Sequence, residues 1–284
     1  MYRVKETLVG GKRFFVGAWS PNETERYGIE NWSLEPIQEQ KDLHTQYRLA
    51  AGLCIAFHRM GAYKVYAPNV VPASAQIVEN NTLKPIKLWK NVILYRNKDV
   101  PADGVFLKEN ETFGMSGAGC PLGIATDGNL VIVFHAGRDS LIDRGAVIGE
   151  PTRKNVSVVN TVVEEFEKRG VPAGKIAMSM QFAIPTMMFD HRFNHSIYGE
   201  FNRALAAFVD KRWPGGVIWQ NGVGVFLDLE KIFLKQAYQA GIHSRRVWTE
   251  NSLNELTALT HTRDGSDPNR TLKPRNLYAI KYIP

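Results

Sequence analysis

The sequence is poor in cysteine, with only Cys54 and Cys120 among its 284 residues. Two cysteines are too few for the disulfide framework that holds small secreted domains together. No apolar run approaches the roughly 18 residues that a membrane-spanning helix needs. The charged start Met-Tyr-Arg-Val-Lys-Glu has no apolar core of a secretory signal. These absences exclude disulfide-rich and membrane-spanning classes, and we expect a soluble, cytoplasmic protein.

The glycine patterns of nucleotide-binding enzymes are also missing. The sequence has neither a Walker nor a Rossmann glycine motif, and it has no Gly-x-Ser-x-Gly nucleophile elbow. Repeats, low-complexity tracts and Ser/Gly linkers are absent as well, so we expect a single domain over residues 1–284. Strand and helix patterns are intermixed along the whole length, which predicts an α/β or mixed α+β fold.

The positive charge is dispersed rather than concentrated. The formal net charge is +7, which suits a nucleic-acid or an anionic partner. The nearest things to basic patches are the trio Lys84, Lys87 and Lys90 and the pair Arg245-Arg246. Such a distribution is more typical of a solvated surface than of a nucleic-acid footprint. We therefore expect a small-molecule substrate, and the positive charge would suit an anionic one. We expect neither a nucleic acid nor a membrane as partner.

What the chain does contain is a lone cysteine shortly before a lone histidine, Gly-Ala-Gly-Cys120-Pro and then Val-Ile-Val-Phe-His135-Ala-Gly. The segment between them predicts a β-hairpin, because two short apolar runs flank the turn sequence Thr126-Asp-Gly-Asn129. A hairpin of this length brings Cys120 and His135 side by side at its open end. A thiol beside an imidazole forms either a thiolate nucleophile or half of a zinc site.

Each residue of this pair also has a simpler interpretation. A histidine in an apolar strand is commonly structural, and a cysteine with apolar neighbours is commonly a core thiol, as we expect for Cys54. Two features favour a working site. His135 ends its strand just before Ala136-Gly137, and Gly117-Ala-Gly119 predicts a turn that exposes both the thiol and backbone amides.

Other candidate positions carry a weaker signal. Asp190-His191 and His195 have a spacing compatible with metal binding but lie in a predicted loop. Arg263 has the guanidinium fork that binds anions, although it could instead pair with Asp264 at the surface. Arg263 and Arg138 are our candidates for contacts to a substrate or to phosphate.

Several short motifs occur in a suggestive order. Ala118-Gly-Cys-Pro121 is followed by His135-Ala-Gly137, and Asp103-Gly104 precedes both. Five further segments follow them in the chain: Gln181-Phe-Ala-Ile184, Phe189-Asp190, Leu227-Asp-Leu229 with Gln236 to Gly241, His261 to Gly265, and Pro274-Arg-Asn276. This order resembles the laccase-domain proteins, a family also described as multicopper polyphenol oxidases and as purine nucleoside phosphorylases. Its signature is an Ala-Asp-Cys-x-Pro-like motif followed by His-Ala-Gly-Trp-Arg-Gly.

The resemblance implies mixed sheets flanked by helices and a zinc ion held by Cys120, His135 and an earlier histidine. Zinc lowers the pKa of bound water toward neutrality, and the implied reactions are phosphorolysis or hydrolysis of a purine nucleoside, or deamination of adenosine. At the aligned positions the earlier histidine is replaced by Tyr66, or alternatively by Ala73 or Ser74. Tyr66 is therefore a candidate substrate contact, and the third ligand would have to be another histidine: His44, His58, His191 or His261.

A second family with the same fold, the cytotoxic-necrotizing-factor-type deamidases, carries a Gly-Cys motif and a later histidine and uses them without metal. The similarity covers Gly119-Cys120 and His135. It implies that His135 activates Cys120 to attack a glutamine carboxamide, while the amides of Gly119 and Cys120 stabilise the oxyanion. We rank a divergent nucleoside enzyme first, a glutamine deamidase second and an inactive binding or scaffold protein third. Copper-dependent phenol oxidation ranks last, because the seven histidines form no cluster suited to several coppers.

Overall fold

The first sheet joins the two ends of the chain. The structure is a computed structural model that describes residues 2–19, 43–70, 74–87, 91–117, 119–250 and 276–284. Strands β1 (Tyr2–Val9) and β2 (Lys12–Trp19) form a hairpin, and β16 (Asn276–Ile283) lies antiparallel between β2 and β8 (Glu111–Gly117). Three shorter strands complete the order β1-β2-β16-β8-β3-β6-β5: β3 (Lys64–Tyr66), β6 (Ile93–Arg96) and β5 (Lys84–Lys87).

The second sheet carries the cysteine–histidine hairpin at its centre. Its order is β15-β11-β9-β10-β7-β4. The hairpin strands are β9 (Leu122–Thr126) and β10 (Val131–His135), and the remaining strands are β4 (Ile77–Val78), β7 (Gly104–Phe106), β11 (Ala177–Gln181) and β15 (Val247–Glu250). A small third sheet has the order β12-β14-β13, formed by β12 (Asp190–Arg192), β14 (Gly224–Leu227) and β13 (Val217–Gln220).

The two large sheets pack face to face. Successive side chains of a strand point to opposite faces of its sheet, so each strand contributes alternate residues to the layer between the sheets. In β16, Tyr278 and Ile280 belong to the same apolar cluster as Ile124 and Val133 of the second sheet. The intervening Ala279 belongs instead to the cluster that helix α1 (Leu43–Arg59) forms on the other face. The far face of the second sheet is covered by α4 (Val158–Glu167) and α6 (Leu229–Gln239).

The remaining helices are short or lie beside the third sheet. They are α2 (Arg138–Leu141), α3 (Arg144–Val147) and α5 (Gly199–Arg212), together with 3₁₀ turns at Asn80–Thr82, Ala173–Lys175, Thr186–Met188 and Ser244–Arg246. Two residues separate the end of β10 from the start of helix α2, so the helix starts beside the open end of the hairpin.

Helix α4 shows how the sequence determines these elements. Ser157 caps it, since the Ser157 Oγ accepts a hydrogen bond from the Val159 amide at 3.0 Å. Val162 and Phe166 are fully buried on one face, and Gly170 with a φ of +78° follows the end of the helix. The apolar spacing between residues 155 and 169, with Gly170 after it, predicts this helix from the sequence alone.

The expected fold class is confirmed. Parallel pairs such as β3–β8 and β11–β15 occur within sheets that are otherwise largely antiparallel, so the sheets are mixed, and helices flank them. Among the described residues, no helix combines the length and the apolar character that crossing a membrane would require.

Candidate active site

The predicted hairpin is present and joins Cys120 to His135. Strands β9 and β10 pair antiparallel with His135 opposite Leu122, and beyond that pair the Ala136 amide donates to the Pro121 carbonyl at 2.8 Å. Each strand lies one residue further along the chain than the apolar runs 121–125 and 130–134 indicate. The pairing places Cys120 and His135 at the same open end.

The turn at the other end of the hairpin has the predicted chemistry. The Asp127 carboxylate accepts hydrogen bonds from the amides of Asn129 and Leu130 at 2.9 and 2.8 Å. Gly128 has a φ of +102°, a conformation that glycine adopts at little cost. The turn thereby fixes the register that aligns the site residues.

Gly137 lies beside the side chains of both Cys120 and His135. A Cβ atom at Gly137 would stand 2.4 Å from His135 Nε2 and 3.4 Å from Cys120 Cβ, so these two atoms are close neighbours. Gly119, directly before the cysteine, has a φ of +85°, the left-handed conformation that favours glycine. The half-buried Cys120 side chain is thus turned toward the imidazole, as the sequence predicted.

Asp103 lies behind the imidazole and completes an acid–imidazole–thiol series. Strand β7 pairs with β10 so that the His135 amide donates to the Asp103 carbonyl at 2.6 Å. The His135 Nδ1 lies 3.0 Å from the Asp103 carboxylate, which is fully buried. The buried Ser140 hydroxyl donates to the same carboxylate oxygen and lies 2.7 Å from Nδ1.

Sequence reasoning did not assign Asp103 or Ser140 to the site. Asp103 appears only in the order of motifs, and Ser140 is not among the candidate residues. Ser140 follows His135 by five residues and lies in the short helix α2 beside the open end of the hairpin, so its approach to His135 has a local signal in the sequence. The approach of Asp103 depends on the pairing of two strands that are distant in sequence, and it has no local signal.

The charges of this series are coupled. Burial disfavours the imidazolium, but hydrogen bonds with Asp103 and Cys120 outweigh it and raise the pKa of His135 to about 10. The other ring nitrogen, Nε2, is buried and makes no hydrogen bond to a nitrogen or oxygen atom of any described residue. An imidazolium next to a thiol stabilises the thiolate. The geometry therefore favours a thiolate–imidazolium ion pair at neutral pH.

The Asp103 carboxylate is held in place from both sides. Its second oxygen accepts a hydrogen bond from the Ala75 amide at 2.5 Å, and Ala75 adopts a φ of +50°, a strained value for a residue with a side chain. The half-buried Arg153 guanidinium donates to the Ser140 carbonyl at 3.0 Å, and its positive charge lies near Asp103. Asp103 is thus both oriented and electrostatically supported.

The positions aligned with the missing zinc histidine fall in two places. The Ser74 hydroxyl accepts a hydrogen bond from the Gln76 amide at 3.3 Å, next to the Ala75 contact with Asp103, whereas residue 73 lies outside the described residues. Tyr66 is buried in the first sheet, where its hydroxyl donates to Glu111 at 2.8 Å and its ring stacks on Tyr95. The Tyr66 phenol is therefore engaged by Glu111, and its role as a substrate contact stays a prediction.

Tyr278 of strand β16 lies on the thiol side of the pair. A Cβ atom at Gly117 would be 3.5 Å from the Tyr278 ring and 3.6 Å from Cys120 Cβ, so the phenol ring flanks the cysteine. The fully buried Tyr278 hydroxyl accepts hydrogen bonds from the Asn276 side-chain amide at 2.7 Å and from the Gly119 backbone amide. The Gly119 amide was expected to stabilise an oxyanion, but here it is bound to the phenol.

The two predicted arginine contacts have different outcomes. Arg138 begins helix α2, and its guanidinium donates to Asp139 at 2.7 Å and to His191 Nε2 at 3.2 Å. A guanidinium can only donate, so His191 Nε2 is an acceptor, and its Nδ1 donates to the Phe189 carbonyl at 3.1 Å. Arg138 thus connects the end of the hairpin to the third sheet. Arg263 lies outside the described residues.

The histidines proposed as further metal ligands are engaged elsewhere where the structure describes them. His191 is bound to Arg138, and His195 Nδ1 accepts hydrogen bonds from the amides of Ile197 and Tyr198. His58 belongs to α1, beyond the first sheet, and its ring contacts Tyr63. The side chain of His44, and His261 as a whole, lie outside the described part of the chain.

The described residues fall one ligand short of a catalytic zinc site. Such sites take three ligands from the protein, and Cys120 and His135 supply two. Over the described ranges 2–19, 43–70, 74–87, 91–117, 119–250 and 276–284, no three His, Cys, Asp or Glu side chains are grouped so that they could hold a metal ion. Cys120 and His135 are thus the two zinc ligands implied by the resemblance that the described residues bring together.

Solved structures of bacterial proteins share this architecture. The hypothetical protein YfiH of Bacillus licheniformis superposes with a TM-score of 0.59 at 16% identity, over 95% of this chain and 92% of that one. YlmD of Geobacillus stearothermophilus superposes with a TM-score of 0.55 at 12% identity, over 89% of this chain and 85% of that one. The Neisseria meningitidis protein NMB0706, of family model DUF152, superposes with a TM-score of 0.57 at 12% identity, over 100% of this chain and 99% of that one. The chain has the YfiH-like fold.

The YfiH-like fold agrees with the sequence resemblance, because YfiH and DUF152 proteins are of the laccase-domain type. At these identities the likeness establishes the fold and leaves the activity open. By sequence, no family model and no curated protein matches the chain.

Proposed function

We propose that the chain is a thiol-dependent amidohydrolase in which Cys120 is the nucleophile, His135 the acid–base group and Asp103 the residue that orients His135. The observation that carries this proposal is the buried Asp103–His135 hydrogen bond of 3.0 Å, with the thiol on the opposite side of the ring. A nucleophile, a base and a third group that orients the base are the parts that covalent catalysis of acyl transfer requires.

The first half of the reaction forms a thioester. The Cys120 thiolate adds to the carbonyl carbon of a primary carboxamide, and the carbonyl π electrons move onto the oxygen. His135 then donates its Nε2 proton to the nitrogen, the C–N bond breaks, and ammonia leaves. Nε2 is suited to this step because it makes no hydrogen bond to another nitrogen or oxygen of the described residues, whereas Nδ1 is held by Asp103.

The second half releases the product. His135, now neutral, accepts a proton from water, and the hydroxide formed adds to the thioester carbon. The C–S bond breaks, a carboxylic acid leaves and gives its proton to the solvent, and the thiolate–imidazolium pair is restored. Asp103 keeps its charge throughout and stabilises the imidazolium whenever it forms. A glutamine side chain of a protein is the carboxamide that the second sequence resemblance implies.

Thiol reactivity tests this proposal without knowledge of the substrate. Iodoacetamide alkylation of Cys120, followed by peptide mass spectrometry, should remain fast well below the ordinary thiol pKa of about 8.5. The buried Cys54 is the internal reference, because it should react only after unfolding. His135→Ala and Asp103→Asn should each slow Cys120 at pH 6.5 by about tenfold or more, since the imidazolium is lost or misoriented. Ammonia release from a glutamine-containing peptide should require Cys120.

Two results would overturn the amidohydrolase. One is a Cys120 that reacts only above the ordinary thiol pKa in the wild type, which would favour an inactive scaffold. The other is stoichiometric zinc in the purified protein that is lost on Cys120→Ala but retained on Cys54→Ala. That second result would instead support the zinc enzyme that the laccase-domain resemblance implies.

A zinc-dependent purine nucleoside phosphorylase or hydrolase is the second candidate function. It is favoured by the buried Nε2 beside a thiol and by the carboxylate at Nδ1, since metal-binding imidazoles commonly donate their other nitrogen to a carboxylate. Cys120 and His135 would be the ligands in place. Zinc, when bound there, would supply a Lewis acid and a water of lowered pKa.

A further inference from the structure

The Tyr278 hydroxyl has an unusual set of partners for a buried phenol. Both hydrogen bonds that it makes to described residues are donated to its oxygen, one by the Asn276 side chain at 2.7 Å and one by the Gly119 backbone amide. A phenol has one hydrogen to donate, and with the Asn276 amide nitrogen facing the phenol neither of these hydrogen bonds uses that hydrogen. The O–H is therefore available to a group that arrives beside it.

The position of the phenol decides what that group is. The Tyr278 ring flanks Cys120 at Gly117, and Gly119, which binds the phenol oxygen, immediately precedes the cysteine. Burial, and after it the negative charge of a Cys120 thiolate, raise the pKa of this phenol, so the two groups interact electrostatically. The phenol is thus beside the nucleophile and outside the Asp103–His135 series.

Three further features hold the phenol in a state suited to donation. Burial raises the pKa of Tyr278 far above neutrality, so it keeps its proton. The two N–H groups that donate to its oxygen polarise the O–H bond and make it a stronger donor. Its ring packs against the Phe182 ring at 4.9 Å, and Phe182 has a φ of +65°, a strained backbone maintained at this contact.

We propose that the Tyr278 hydroxyl is a catalytic hydrogen-bond donor of this site, which stabilises negative charge at Cys120 in place of the Gly119 amide. The inference rests on the proposed thiol chemistry. Tyr278 holds the Gly119 turn through its oxygen and uses its hydrogen for the thiolate and for the oxyanion of the tetrahedral intermediate. A donor bound to the Gly119–Cys120 turn moves with the nucleophile and stays aligned with it.

The test is the pH profile of Cys120 alkylation by iodoacetamide in Tyr278→Phe, compared with wild type. This substitution keeps the ring contact with Phe182 and removes the O–H. Because hydrogen bonds to charged groups contribute about 1.5–3 kcal/mol, alkylation at pH 6.5 should slow by about tenfold or more, with the profile moved to higher pH. The matched control is Tyr282→Phe in the same strand, which is also buried but contacts Glu109, and its profile should equal that of wild type.

A second variant guards against a folding defect. Asn276→Asp replaces a donor to the phenol with a carboxylate that accepts its hydrogen, so the profile should shift in the same direction although the ring and hydroxyl remain. A wild-type thiol with an ordinary profile would overturn the proposed function itself. A reactive wild-type thiol whose profile is unchanged in both Tyr278→Phe and Asn276→Asp, with thermal unfolding showing folded protein, would overturn only the role of Tyr278.

Discussion

At the scale of single residues, Gly137 is the position where one added carbon should separate the cysteine from the histidine. Its φ of −68° is accessible to alanine, so the backbone itself tolerates the change. The new Cβ would stand 2.4 Å from His135 Nε2, closer than any real contact, and the imidazole would have to move. We expect Gly137→Ala to slow Cys120 alkylation at pH 6.5 by about tenfold to a hundredfold, because misplacement by about an ångström is that costly.

The control for Gly137 is Gly174→Ala, where an added Cβ meets nothing within 4 Å. It should leave both the alkylation rate and the unfolding midpoint unchanged. An alkylation rate in Gly137→Ala equal to that of wild type would show that the ring contact does not determine thiol reactivity.

At the scale of elements, Ser157 joins three helices around the site. Its hydroxyl caps α4, and it lies 2.5 Å from the Gln236 side-chain oxygen of α6, whose amide donates to the Leu141 carbonyl of α2 at 2.8 Å. Ser157→Ala removes a cap worth about 1 kcal/mol and leaves a buried Gln236 oxygen that costs about 1–3 kcal/mol more.

Urea unfolding should therefore show Ser157→Ala destabilised by about 2–4 kcal/mol. The exposed Ser244→Ala should change the free energy of unfolding by less than about 0.5 kcal/mol. If both substitutions have the same small effect, the Ser157–Gln236 contact contributes little to holding these helices together.

The elements also show which parts of the site are encoded locally. The hairpin was predictable because the Asp127-Gly128 turn and two apolar runs are contiguous in sequence, and the hairpin alone juxtaposes Cys120 with His135. Asp103 reaches His135 only through the pairing of β7 with β10, and β7 has three residues, too few for a period to be seen. Tyr278 comes from the last strand of the other sheet, so its place beside Cys120 depends on how the two sheets pack.

At the scale of the whole molecule, the buried ion pair links stability to pH. The pKa of His135 is raised in the folded protein from an ordinary value of about 6.5 to about 10. The stabilisation from the imidazolium is therefore complete below the ordinary value and is lost as the pH rises through the folded value. Near pH 7, the folded pair holds one proton, on the imidazole. In the unfolded chain the two side chains also hold about one proton, on the thiol. Folding therefore changes the number of bound protons little at this pH. The measurable loss is thus confined to alkaline pH, where the unfolded chain has released both protons and the folded pair still holds one.

This linkage predicts how the stability of a histidine variant compares with wild type across pH. At pH 7.5 the free energy of unfolding of wild type should exceed that of His135→Gln. This difference in free energy should narrow by about 1 kcal/mol or more between pH 8.5 and 10, because one pKa unit corresponds to about 1.4 kcal/mol. Urea unfolding at several pH values measures this difference directly. His58→Gln, in helix α1 beyond the first sheet, should differ from wild type by the same amount at every pH. A difference for His135→Gln that stays constant up to pH 10 would mean that the folded protein holds no extra proton on the pair, and the thiolate–imidazolium assignment would be wrong.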